Sequence, residues 1–79
     1  MNLLTKDKFK FLMKEIETEL CNYPDIICFF KQMYEALRDG EGIDIGENGI
    51  EYTFKQMSVG FKPIISEEFG AKISLTIKF

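Results

Sequence analysis

Phe9, Leu12, Met13, Ile16 and Leu20 recur at steps of three and four, which lays them along one stripe of a helix. The pattern predicts an amphipathic α-helix from about Thr5 to Asn22. Thr5 is a residue that caps a helix N-terminus well, and Asp7 in the first turn favours the positive end of the helix dipole. Tyr23-Pro24-Asp25 interrupts the stripe, because proline disfavours helix at the residue before it and suits the first turn of a new one. A second helix is predicted from Pro24 to about Asp39. Its apolar positions, Ile26, Ile27, Phe29, Phe30, Met33, Tyr34, Ala36 and Leu37, cover about half of the circumference, wider than a single-sided stripe, so it is expected to pack on two sides. Gly40 stands where a C-cap glycine belongs, just after Arg38.

Beyond Gly42 the period changes from 3.6 to 2. Asn48-Gly49 is a strong signal for a two-residue type I′ turn, which would pair Ile45 with Tyr52 and Ile43 with Phe54, apolar side chains together. Val59 and Phe61 carry the alternation into a further strand that Pro63 is expected to weaken or end. Ser66 to Gly70 reads as a loop. The chain finishes on Lys72-Ile73-Ser74-Leu75-Thr76-Ile77-Lys78-Phe79, a strict alternation that puts Ile73, Leu75, Ile77 and Phe79 on one face of a strand. The expected fold is α+β, a single compact domain over residues 1–79. Its N-terminal αα-hairpin packs on one face of a C-terminal three- or four-stranded antiparallel sheet. A chain running from Met1 to a closing strand is expected to be a complete small gene product, and its last strand is an edge on which a second copy could pair.

Composition narrows the function classes. With 79 residues, 46% of them hydrophobic, there is room for one core and little for a deep pocket; eight Phe and three Tyr supply large buried areas. The net charge is only −3, yet it is unevenly spread. Four lysines and one acid lie between Met1 and Lys14, whereas five acids and no base lie between Asp39 and Glu51. The longest apolar run, Ile26 to Phe30, is too short to span a bilayer, so no membrane partner is expected. Cys21 and Cys28 are too few for a disulfide framework and are read as unreactive thiols of a reducing cytoplasm.

The chain contains no histidine, which removes the usual base of nucleophilic catalysis and the commonest metal ligand. No catalytic residue, metal or cofactor is expected. The acids and glycines from Asp39 to Glu51 have the flavour of a calcium loop, but Ile43 and Ile50 fall where an EF-hand needs ligands. Asp39-Gly40-Glu41-Gly42 also lacks what a phosphate loop requires, and its carboxylates would repel phosphate. Two interaction surfaces remain. Asp39, Glu41, Asp44, Glu47 and Glu51 would form an anionic patch able to mask a basic surface on a target protein. Lys55, Lys62, Lys72 and Lys78, with Thr53, Ser74 and Thr76, would line the open sheet face and could follow a nucleic-acid backbone, though no aromatic residue joins them to stack a base. Phe11 falls opposite the stripe of the first helix, where it would anchor a partner or mark a second buried side. The expected function is therefore non-enzymatic: a small acidic inhibitor or adaptor of the kind phages and mobile elements carry, with nucleic-acid binding as the alternative.

Overall fold

The computed structural model describes residues 2–66 and 70–79. Its elements are β1 (Leu3–Thr5), α1 (Lys6–Glu19), α2 (Pro24–Ala36), β2 (Gly42–Asp44), β3 (Ile50–Phe54), β4 (Met57–Ser66) and β5 (Gly70–Lys78). Two helices and two antiparallel sheets, one of two strands and one of three, make an α+β fold, as the change of period predicts. The chain groups into two compact units, one of Thr5–Gly42 and one combining the N-terminal residues up to Leu4 with Ile43–Phe79.

In the helical unit, α1 begins directly after Thr5, whose Oγ1 accepts the Lys8 N–H at 3.3 Å, so the expected cap is formed. Phe9, Leu12, Met13, Ile16 and Leu20 are all buried. The helix stops at Glu19 rather than Asn22, because Leu20 to Tyr23 is taken up by a turn closed by the Tyr23 N–H on the Leu20 carbonyl at 2.8 Å. Pro24 then opens α2, as predicted. The second helix ends at Ala36, short of Asp39, with Leu37 already extended at ψ 137°. Gly40 is consequently not the helix cap. It sits at φ +85° in a separate turn closed by the Glu41 N–H on the Arg38 carbonyl at 2.9 Å. On the wide apolar arc of α2 only Phe30 is fully buried; Ile26, Ile27, Met33 and Tyr34 are half-buried, and Phe29 and Ala36 are exposed. The helices meet through Phe9 and Tyr34, whose ring centroids are 6.0 Å apart.

In the other unit the strand order is β3-β4-β5, antiparallel throughout. Ile50, Tyr52 and Phe54 lie across from Phe61, Val59 and Met57, and Ile77, Leu75 and Ile73 lie across from Val59, Phe61 and Pro63. One face is therefore apolar on all three strands, with Met57, Val59 and Phe61 on the central strand buried. The Tyr52 and Phe61 rings meet edge to face at 6.3 Å, and burial raises the Tyr52 pKa above the ordinary phenol range.

The Asn48-Gly49 hairpin does not form. β2 pairs with β1, not with β3, and the hairpin that does form joins β3 to β4 through Lys55-Gln56. Among the described residues Lys55 is the one non-glycine at positive φ, +47°. Positive φ at the first central position alone matches a type II′ turn, where glycine is the favoured residue. Gly49 serves a different purpose. At its φ of +81°, a Cβ would overlap the Phe61 carbonyl oxygen and come within 2.9 Å of the Lys62 Cα. It opens β3 where that strand's backbone runs against β4.

Four further stretches differ from expectation. Leu3–Thr5, unassigned from the sequence, forms β1; the Ile45 N–H donates to the Asn2 carbonyl at 2.9 Å, and Leu4 and Ile45 are buried. β4 continues through Pro63 to Ser66. The Phe61 carbonyl faces Gly49, so by alternation the Pro63 nitrogen also faces the β3 side, past the last β3 pair at Ile50, and no ladder hydrogen bond is lost. Phe79 lies beyond the end of β5 and is 72% exposed rather than on the core face. Of the loop expected at Ser66–Gly70, Ser66 and Gly70 are paired strand residues, and 67–69 lie outside the described residues.

Candidate functional site

The acidic stretch is built from turns. Asp39 is exposed in the Arg38–Glu41 turn, and Glu41 folds back so that its Oε1 accepts the Arg38 backbone N–H at 2.9 Å and lies 4.0 Å from the Arg38 guanidinium. Asp44 ends β2 and holds the next turn, its Oδ1 accepting the Gly46 N–H at 2.9 Å. Glu47 is exposed in that same turn, and Glu51 is exposed on β3. All five carboxylates are solvent-facing, and among the described residues the Arg38–Glu41 contact is the one ion pair. Asp44 and Glu47 lie on either side of Gly46, at the same turn. Asp44 and Glu51 are not brought together by strand pairing, because the hairpin that would have joined them is not formed.

The lysine set is divided. Lys62, Lys72 and Lys78 share the polar face of β4 and β5, with Lys62 across from Ser74, Lys72 across from Ile64 and Lys78 across from Ser58. Lys62 and Lys72 are diagonal neighbours, roughly 7–8 Å apart at the backbone. Lys55 falls in the hairpin turn instead of on the strand. The face also carries Glu51, across from Gly60, and Ile64, 48% exposed, so it is neither uniformly basic nor uniformly polar. No aromatic residue lies at a polar-face position of the described strands.

Phe11 projects from α1 at 70% exposure, and the Lys14 ammonium lies 5.9 Å from its ring centroid. Next to it is a feature that residue spacing did not predict, a cleft of about 210 Å³ between the helices, lined by Lys10, Met13, Lys14, Glu17, Lys31 and Tyr34. The signal was present as the spacing of Lys10, Lys14 and Glu17 beside the core stripe. It was hidden because surface lysines at helical spacing usually mark only a solvated face.

Cys21 and Cys28 are both exposed, with the Gln32 amide nitrogen 3.7 Å from the Cys28 sulfur. Among the described residues no three His, Cys, Asp or Glu side chains group as metal ligands, and no helix is long and apolar enough to cross a membrane. Compared with family models, with curated proteins and with solved structures, the chain matches none.

Proposed function

We propose that this chain is a non-enzymatic, cytoplasmic protein-binding module, an inhibitor or adaptor of phage or mobile-element type, that masks a basic surface on its target with the segment from Asp39 to Glu51. The observation that carries this reading is the state of the segment's carboxylates. All five are exposed, and only Glu41 has a cation within ion-pair distance among the described residues. The turns that present Glu41 and Asp44 are fixed by hydrogen bonds of 2.9 Å from backbone N–H groups, so part of the ordering cost of binding is met before the partner arrives. Changing Asp44, Glu47 and Glu51 to Lys should weaken target binding on the order of 10- to 100-fold at low salt, and less at high salt. Unchanged binding by that folded triple variant would end the proposal.

The second reading is nucleic-acid binding through Lys62, Lys72 and Lys78, favoured by the diagonal placement of Lys62 and Lys72. It is weakened by Lys55 leaving the face and by Glu51 and Ile64 standing on it. Retention on single-stranded DNA that survives replacement of the three strand lysines by Glu would exclude it.

A further inference from the structure

The cleft between α1 and α2 has an apolar floor and a cationic rim. Lys10, Met13, Lys14 and Glu17 are spaced i, i+3, i+4 and i+7, so one face of α1 supplies them, and Lys31 and Tyr34 come from one face of α2. Met13 is buried and Tyr34 half-buried, with the Tyr34 ring braced by Phe9 at 6.0 Å. A further ammonium, Lys6 Nζ, sits 5.1 Å from the Tyr34 ring centroid and is held there by donating to the Leu37 carbonyl at 2.7 Å. Lys10, Lys14 and Lys31 are exposed, and none has an ion-pair partner among the described residues. Three cations against the single carboxylate of Glu17 favour an anionic occupant and oppose a basic one.

Volume sets the kind of occupant. Pockets that enclose a small ligand run from about 300 Å³ upward. This open cleft of about 210 Å³ is large enough for one aliphatic or aromatic side chain of a bigger partner. A bare inorganic anion would use the rim and leave the floor of Met13 and Tyr34 wet, whereas a neutral apolar group would use only the floor.

We propose that this cleft binds an acidic peptide segment of another protein, with one apolar side chain on Met13 and Tyr34 and the flanking carboxylates against Lys10, Lys14 and Lys31. None of the cleft's lining residues lies between Asp39 and Glu51, so the proposed acidic segment supplies no part of it. A chain with both would join a basic partner and an acidic one.

The test is a titration of the whole 15N-labelled chain with a short synthetic peptide, one leucine between pairs of glutamates, followed by NMR at low salt. Saturable shifts centred on Lys10, Met13, Lys14, Lys31 and Tyr34 are expected. Replacing the leucine by serine should weaken binding about fivefold, the burial of one aliphatic side chain in an open cleft. The double variant Lys10→Glu, Lys31→Glu should weaken it about tenfold. If that variant loses its helical circular dichroism, Lys10→Gln with Lys31→Gln serves instead, with a smaller loss. Shifts that fail to saturate or centre elsewhere, equal binding of the serine peptide, or unchanged binding by the folded lysine variants would each overturn the proposal. A concentration-dependent dimer of the unliganded chain that the same lysine changes disperse would also overturn it, by making a second copy the occupant.

Discussion

Replacing Gly49 by alanine separates the observed strand pairing from the one that Asn48-Gly49 suggests. At φ +81° an alanine costs about 1–2 kcal/mol for the left-handed backbone alone. The added Cβ would also meet the Phe61 carbonyl oxygen and, at 2.9 Å, the Lys62 Cα. Both are backbone atoms and cannot rotate aside, so β3 and β4 must move apart at their ladder, at a cost comparable to overpacking a core, about 1–3 kcal/mol. The expected total is about 3 kcal/mol, against a global stability of about 4–12 kcal/mol for a chain of this length. Gly46 is the internal control. It has φ +68° with nothing within 4 Å of its would-be Cβ, so Gly46→Ala should cost only the backbone part, about 1–2 kcal/mol. Urea unfolding followed by circular dichroism reads the difference: with m of about 1.5 kcal/mol/M, Gly49→Ala should lower the midpoint by about 2 M and Gly46→Ala by about 1 M. In a type I′ hairpin, Gly49 would lie at an open tip beside an Asn48 also at positive φ. Equal losses at Gly46 and Gly49, together with a loss of about 1 kcal/mol for Asn48→Ala, would refute the β3-β4 register described above.

Three other outcomes are expected. Lys55→Gly should raise stability by about 0.5–1 kcal/mol, because it relieves the positive φ of +47° at the β3-β4 turn; a lower urea midpoint would show that the turn is misassigned. Tyr52 has its pKa raised by burial, so the folded chain holds the phenol proton more tightly than the unfolded one; stability is intact below about pH 10 and falls as pH rises through that value. Tyr52→Phe should flatten this alkaline loss in melts run between about pH 9 and 11, and an unchanged slope would contradict it. Deleting Thr76 to Phe79 removes the β5 partners of Ser58, Val59 and Gly60 on the central strand and should abolish cooperative melting, whereas a sharp transition would mean that the sheet does not depend on β5.

The parts of the fold that read correctly from the chain are those set by local chemistry. The α1 stripe, the Thr5 cap, the Pro24 start and the two-faced alternation of the sheet strands depend on neighbours within one turn or on the next residue but one. What did not read is non-local. Leu3–Thr5 is too short to show a period, and it is held through Asn2 by Ile45, whose distance along the chain no pattern encodes. Asn48-Gly49 misled because a glycine at positive φ also suits a strand entry pressed against a neighbouring backbone. The Lys55-Gln56 turn was missed because it carries none of the residues such a turn favours. Of the candidate surfaces, the exposure of the carboxylates followed from the polar pattern, which left Phe11 open between an exposed anchor and a second buried side; it is exposed. The Lys10-Met13-Tyr34 cleft required two helices to be brought together, which residue spacing on one helix does not describe.

If the segment from Asp39 to Glu51 is a recognition surface, its charge must decide what the chain retains. Affinity capture from the organism that encodes the chain, run in parallel with the wild type and with the folded Asp44→Lys, Glu47→Lys, Glu51→Lys variant, decides the matter. The expected result is one partner with a basic surface, retained by the wild type, released as salt rises, and lost by the variant. A partner retained equally by both would contradict a recognition role for these carboxylates.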